Sequence, residues 1–199
     1  MQDWTFDDGG YAFPTDRPSE ISANHPLRVL FSTMVERAFL MNLGVFDSAV
    51  TTYVADMLTD FSHMRNLYKV RNLSAQPLEE VADMIVEADV RLSATSFNRE
   101  REVHKHIGDF LLFWSGVFPE FLQVLKAPTS RDAIMNVAEQ GRVSYHIAST
   151  FEYAPHEKEA ETFKKLSAHF VDYQYGLRLV RATFDGFAKG TDWVDGFRA

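Results

Sequence analysis

Apolar residues recur at helical spacing in six successive stretches of this chain, and nowhere does an apolar–polar alternation sit between hairpin signals. A 3.6-residue period gathers such residues on one face of a helix, and several such faces are buried most readily against one another. The pattern therefore predicts an all-α, single-domain bundle of about six helices. Punctuation sets their limits. The first runs over about 26–43, with Pro26 in its opening turn and Gly44 as its stop. Asp47 is a good cap for the second, which reaches about Tyr68. The third begins at Pro77, with Glu79 and Glu80 suited to the positive end of its dipole, and ends near Ser93. The fourth starts near Asn98 and is broken by Pro119, with a short continuation to Lys126. Thr129 and Asp132 form a partial capping-box pattern for the fifth, ending near Thr150. The sixth follows Pro155 and runs to about Phe184.

Three regions result. Residues 1–25 hold Gly9, Gly10, Pro14 and Pro18 and show no helical period, so they read as an irregular arm. Trp4, Phe6, Tyr11 and Phe13 are too apolar for a free tail and are expected to lie across the bundle of residues 26–185. The tail, 186–199, has the same character, with Trp193 and Phe197 as anchors. At 199 residues the chain can bury one sufficient core, and its 17 phenylalanines make that core aromatic-rich. A formal charge of −8 disfavours capture of nucleic acid or anionic lipid by bulk attraction. The absence of cysteine removes disulfides, thiolate ligands and thiol nucleophiles and fits a reducing compartment. The acidic start "MQDWTFDDGG" lacks the pattern of a signal peptide, and "FLLFWSGVF" is far shorter than the roughly 20 residues of a membrane span. The chain reads as a soluble cytoplasmic protein that needs no membrane.

Chemistry concentrates in "REVHKHIGDFLLFWSGVF", residues 101–118. Its apolar face is Val103, Ile107, Phe110, Leu111, Trp114 and Val117, with His104 and His106 on opposite flanks, roughly 160° apart. One metal cannot easily be touched by both, since chelation on a helix needs i, i+4 spacing. Arg99, Glu102, His106 and Asp109 share a ridge beside the apolar face. That ridge is either a solvated ion-pair ladder or a histidine oriented by a carboxylate to act as a general base or metal ligand, with His106, Glu102, Asp109 and His104 as the catalytic candidates. A di-metal bundle would need two inward Glu-x-x-His pairs. The nearest match is Asp60-x-x-His63, on the polar side of its helix, so no metal site and no cofactor are expected. "REREVH" and "REVHKH" meet the loose Arg-to-His spacing of HEPN-type ribonucleases but lack the polar residue usual after the arginine. A His-dependent hydrolase is the alternative to a non-enzymatic domain.

The sixth helix places Gln174 and Arg181 near the centre of its apolar stripe, with Arg178 adjacent. Asp89 falls in the middle of the third helix's core face, and Arg65 lies near that of the second. Buried charges need partners, so these residues form either a structural Asp–Arg network or a polar pocket for a small anionic ligand. In the second case Asp89, Arg178, Arg181, Arg65, Gln174 and Tyr145 would line it. Gly141, Ser144 and Ala148 form a small-residue ridge for close helix approach, and a buried Tyr145 hydroxyl would need a partner. "VERAFLMNLGVF" is apolar nearly all round, as suits a central helix or the interface of a homo-oligomer.

"HIGDFLLFWSGVFPEFL", followed by "GRVSYHIAS" and "LSAHF", resembles a bacterial all-helical family without assigned function, over about residues 60–185. The resemblance implies a single helical domain and transfers no catalytic role.

Overall fold

Pro26 opens α1 (Pro26–Ala38) at a position where no backbone N–H is required, and the His25 ring accepts a hydrogen bond from Leu27 N at 3.3 Å. The helix widens into one π-turn over Phe39–Leu43 and stops at Gly44, whose φ of 64° suits a residue without Cβ. The computed structural model describes residues 4–6, 12–14, 22, 24–72, 74–89, 96–153 and 155–188. Within the arm, β1 (Trp4–Phe6) pairs antiparallel with β2 (Ala12–Pro14). The arm is thus not wholly irregular; the packing expected of its rings, and of Trp193 and Phe197, lies outside the described residues.

The remaining elements are helical. They are α2 (Ser48–Phe61), α3 (Met64–Leu67), α4 (Val81–Ala88), α5 (Phe97–Val117), α6 (Leu122–Leu125), α7 (Val137–Ser149), α8 (Glu157–Ala168) and α9 (Phe170–Ala188). Asp47 caps α2 through Ala49 N and Val50 N at 3.0 and 3.3 Å. Ser96 caps α5 through Arg99 N at 3.2 Å. A 3₁₀ turn at Pro119–Phe121 ends α5 and leads into α6.

Four expected boundaries move. The second helix breaks at Ser62–His63, where the Ser62 and His63 amides fold back on Thr59 and Asp60 carbonyls. The third helix starts at Val81 rather than Pro77, because Asp132 supplies its cap from far along the chain: Oδ2 accepts from Val81 N and Oδ1 from Ala82 N, both at 2.8 Å. Asp132 is therefore not part of a capping box for the fifth helix, which starts at Val137 under Asn136. The sixth helix is two helices, divided at His169 (φ −115°, ψ 28°).

α5 is the axis of the assembly, packing against α4, α7 and α9, while α1 lies on α2 and α9 and α8 on α7 and α2. Val103, Ile107, Phe110, Leu111 and Leu112 of α5 are buried with Val54, Met84, Phe163, Phe170 and Leu177 from the surrounding helices. On the ridge of α7, Gly141, Ser144 and Ala148 are all buried, and a Cβ at Gly141 would stand 2.3 Å from Phe170 Cζ. No described helix is long and apolar enough to cross a membrane.

Candidate functional site

Because α5 is covered on several sides, its polar flank is enclosed along with its apolar face. Arg99, Arg101, His104, Lys105, His106 and Asp109 are all buried. At the centre stands Asp109, 3 % exposed. Its Oδ1 accepts hydrogen bonds from the Tyr53 hydroxyl of α2 at 2.6 Å and the Tyr145 hydroxyl of α7 at 2.9 Å. Its Oδ2 lies 3.8 Å from Lys105 Nζ, one turn back, and that ammonium also sits 5.6 Å from the Tyr53 ring centroid. Burial pushes the Asp109 carboxyl up, against the pull of Lys105 and the tyrosine hydroxyls. Both phenols are driven well above their ordinary range, by burial first and then by the neighbouring Asp109 charge. For Lys105, burial acts to lower proton affinity, but the carboxylates of Asp109, Glu102 and Glu159 prevail and raise it.

Further along α5, Arg101 is 1 % exposed and reaches outward to Glu102 and to Glu159 of α8, with its guanidinium 5.5 Å from the Phe163 ring centroid. Arg99 donates to Glu87 Oε1 at 2.9 Å and to the Arg71 carbonyl at 2.7 Å. His106 is held by the Leu67 carbonyl, 3.0 Å from Nε2, so Nε2 carries the proton and Nδ1 faces the interior without a hydrogen bond. Burial, then the Lys69 charge, holds the His106 ring well below its ordinary proton affinity. His104 is pushed down to about 4 by burial, with the Asp89 carboxylate opposing.

The four residues of the expected ridge therefore do not form a solvated ladder. Arg99 turns to α4, Glu102 lies at the surface beside Arg101, and His106 and Asp109 make separate interior contacts. Among the other candidates, Tyr145 does find the partner that a buried hydroxyl needs. Asp89 is not on a helical core face: α4 ends at Ala88, and Asp89 follows in extended backbone (φ −72°, ψ 114°), half-buried. Arg65 and Arg178 are exposed. Arg181 is half-buried at the rim, donating to the Val117 carbonyl at 3.0 Å and Asp185 at 2.9 Å over the Phe118 ring. Gln174 Nε2 reaches the Ser115 carbonyl at 3.4 Å. The arginines expected to converge inside the bundle thus lie at its surface, Arg65 on α3 and Arg178 on α9 exposed and Arg181 half-buried at the rim. Most of the buried ionic residues come instead from α5, joined by Glu87 of α4 and by Asp132.

A second feature lies on the surface, where the π-turn meets the start of α9. Phe39 stacks on Tyr173 with ring centroids 5.3 Å apart. Beside this stack a cleft of about 430 Å³ is lined by Asn42, Leu43, Val45, His169, Asp172 and Tyr173. His169 Nδ1 and Asp172 Oδ2 are 3.2 Å apart, and Lys165 Nζ donates to Asp47 Oδ2 at 2.7 Å. On the same two segments the apolar side chains of Leu40, Met41, Phe46, Val171 and Tyr175 are 41, 75, 85, 56 and 51 % exposed. Among the described residues no group of three or more His, Asp or Glu side chains stands close enough to hold a metal ion.

Fold and interior together define the class: an all-helical bundle whose central helix carries buried arginine and lysine ion pairs. No protein-family model, curated protein or solved structure matches this chain.

Proposed function

We propose that this chain is a self-associating helical domain, and that its contact face is the surface built from the π-turn and the first two turns of α9. The observation that carries the reading is the exposure of five large apolar side chains, Leu40, Met41, Phe46, Val171 and Tyr175, on the two segments, residues 39–46 and the start of α9, whose neighbouring residues line one cleft. A second copy is the occupant best matched to this face. The face carries an ammonium, Lys165, and the carboxylates Asp47 and Asp172. A surface bearing both signs is complementary to itself across a twofold axis, whereas a face of one sign repels its copy.

The geometry favours this over a ligand pocket within the bundle. Interior cations already face protein carboxylates: Arg99 meets Glu87, Arg101 meets Glu102 and Glu159, and Lys105 meets Asp109. It also favours assembly over a hydrolase using the Arg99–His104 or Arg101–His106 spacing, because both histidines are enclosed and each arginine is engaged by carboxylates.

Light scattering over a concentration series tests the proposal. The expected mass is a multiple of 22.8 kDa, and Met41→Glu with Phe46→Ser should return the chain to a single copy with its helical circular dichroism unchanged. A mass of one chain at every concentration overturns the reading, as does an oligomer indifferent to both substitutions.

A further inference from the structure

Phe46 stands on the short link between the π-turn and α2, 85 % exposed, with its backbone pinned on both sides. Before it, Val45 N donates to the Phe39 carbonyl at 3.1 Å. After it, the Asp47 carboxylate accepts from Ala49 N and Val50 N at the start of α2 and from Lys165 Nζ of α8 at 2.7 Å. A large aromatic side chain on a fixed backbone in water has little left to lose on being ordered and much apolar surface to bury, which is the character of an interface anchor. Val45, its neighbour in the chain, lines the cleft of about 430 Å³ beside the Phe39–Tyr173 stack. Leu43, Val45 and Tyr173 give that cleft apolar walls, and Asn42, His169 and Asp172 supply its polar groups. Anchor and cleft thus lie side by side on one face.

We propose, building on the self-association argued above, that Phe46 of each copy fills this cleft of the other across a twofold axis. An axis midway between an anchor and an adjacent cleft brings both anchor–cleft pairs together at once, and the assembly closes at two copies. An anchor and cleft on separate faces would instead join copies head to tail. The volume suits the occupant, since it falls within the roughly 300–1,000 Å³ of sites that enclose a small ligand. Charge favours the same pairing. Phe46 brings with it the Lys165 ammonium, held at the adjoining Asp47, and the cleft presents the exposed Asp172 carboxylate. Insertion therefore turns the cation of one copy toward the carboxylate of the other, twice over.

The test takes the two halves of the contact apart. Phe46→Ala removes the anchor and leaves the cleft, whereas Asn42→Arg keeps the anchor and lays a long side chain across the cleft. Both positions are exposed, and circular dichroism checks that each variant keeps its helices. If Asn42→Arg does not fold, His169→Trp blocks the cleft from its other wall. Light scattering over a concentration series should give two chains for the native protein, and each variant alone should need at least about tenfold more protein to pair. An equimolar mixture should pair more tightly than either variant at the same total concentration, because Phe46 of the Asn42→Arg chain still meets the open cleft of the Phe46→Ala chain. A native mass of one chain at every concentration overturns this inference together with self-association. A native assembly that Phe46→Ala does not weaken overturns the inference alone. So does a mixture that pairs no better than its components, as it would if the cleft served a small ligand or another protein. A mass that climbs past two chains overturns the twofold pairing.

Discussion

His104 is a histidine that the fold keeps neutral, and the consequence can be read as stability against pH. It is 7 % exposed on α5, and burial lowers its proton affinity from 6.5 to about 4. The unfolded chain therefore binds a proton at His104 over a range of pH in which the native state does not. Stability linked to His104 is present in full above pH 6.5 and is lost as pH falls toward 4. At about 1.4 kcal/mol per pH unit, the loss reaches roughly 2 kcal/mol by pH 5 and roughly 3 kcal/mol by pH 4. Other groups titrate in the same range. His106 acts in the same direction, whereas the Asp109 and Asp132 carboxyls, raised by burial, favour the native state as pH falls. The decisive quantity is thus the difference between the native chain and His104→Met, in which these contributions cancel. Urea unfolding followed by circular dichroism at pH 7, 6, 5 and 4 measures it. The native chain should lose roughly 2–3 kcal/mol more than the variant over that range. A difference that stays flat with pH would mean that the native state protonates His104 freely, and the burial argument would fail.

Two further perturbations probe the packing around the same helix. Gly141→Ala should destabilise by about 1–3 kcal/mol in urea unfolding despite the better helix propensity of alanine, because its Cβ would stand 2.3 Å from Phe170 Cζ. A stabilised variant would show that α7 and α9 do not meet there. Tyr53→Phe and Tyr145→Phe should each cost about 1.5–3 kcal/mol, as loss of a hydrogen bond to a charged group. Because both hydroxyls donate to Asp109 Oδ1, the double variant should depart from additivity by about 0.5 kcal/mol or more, and strict additivity in the double-mutant cycle would show that they do not share that oxygen.

The sequence alone determined the helical class, most helix starts and the aromatic core, because these depend on local period and local caps. Pro26, Gly44, Asp47 and Pro119 act on the residues beside them, so each could be read without knowing the fold. Tertiary structure alone decided which polar side chains are buried. Asp132 caps a helix about 50 residues upstream, and the break at His169 has no glycine or proline to announce it. Periodicity assigns a helix one apolar face and treats the rest as solvated, which is sound for a helix with one neighbour. α5 has α4, α7 and α9 against it and Tyr53 of α2 reaching in, so Arg101, Lys105, His106 and Asp109 are enclosed where a wheel puts them at the surface. For the same reason Arg178, adjacent to an apolar stripe on the wheel, is exposed: no described helix covers that side of α9. Burial depends on how many helices surround a segment, and local spacing carries no record of that number.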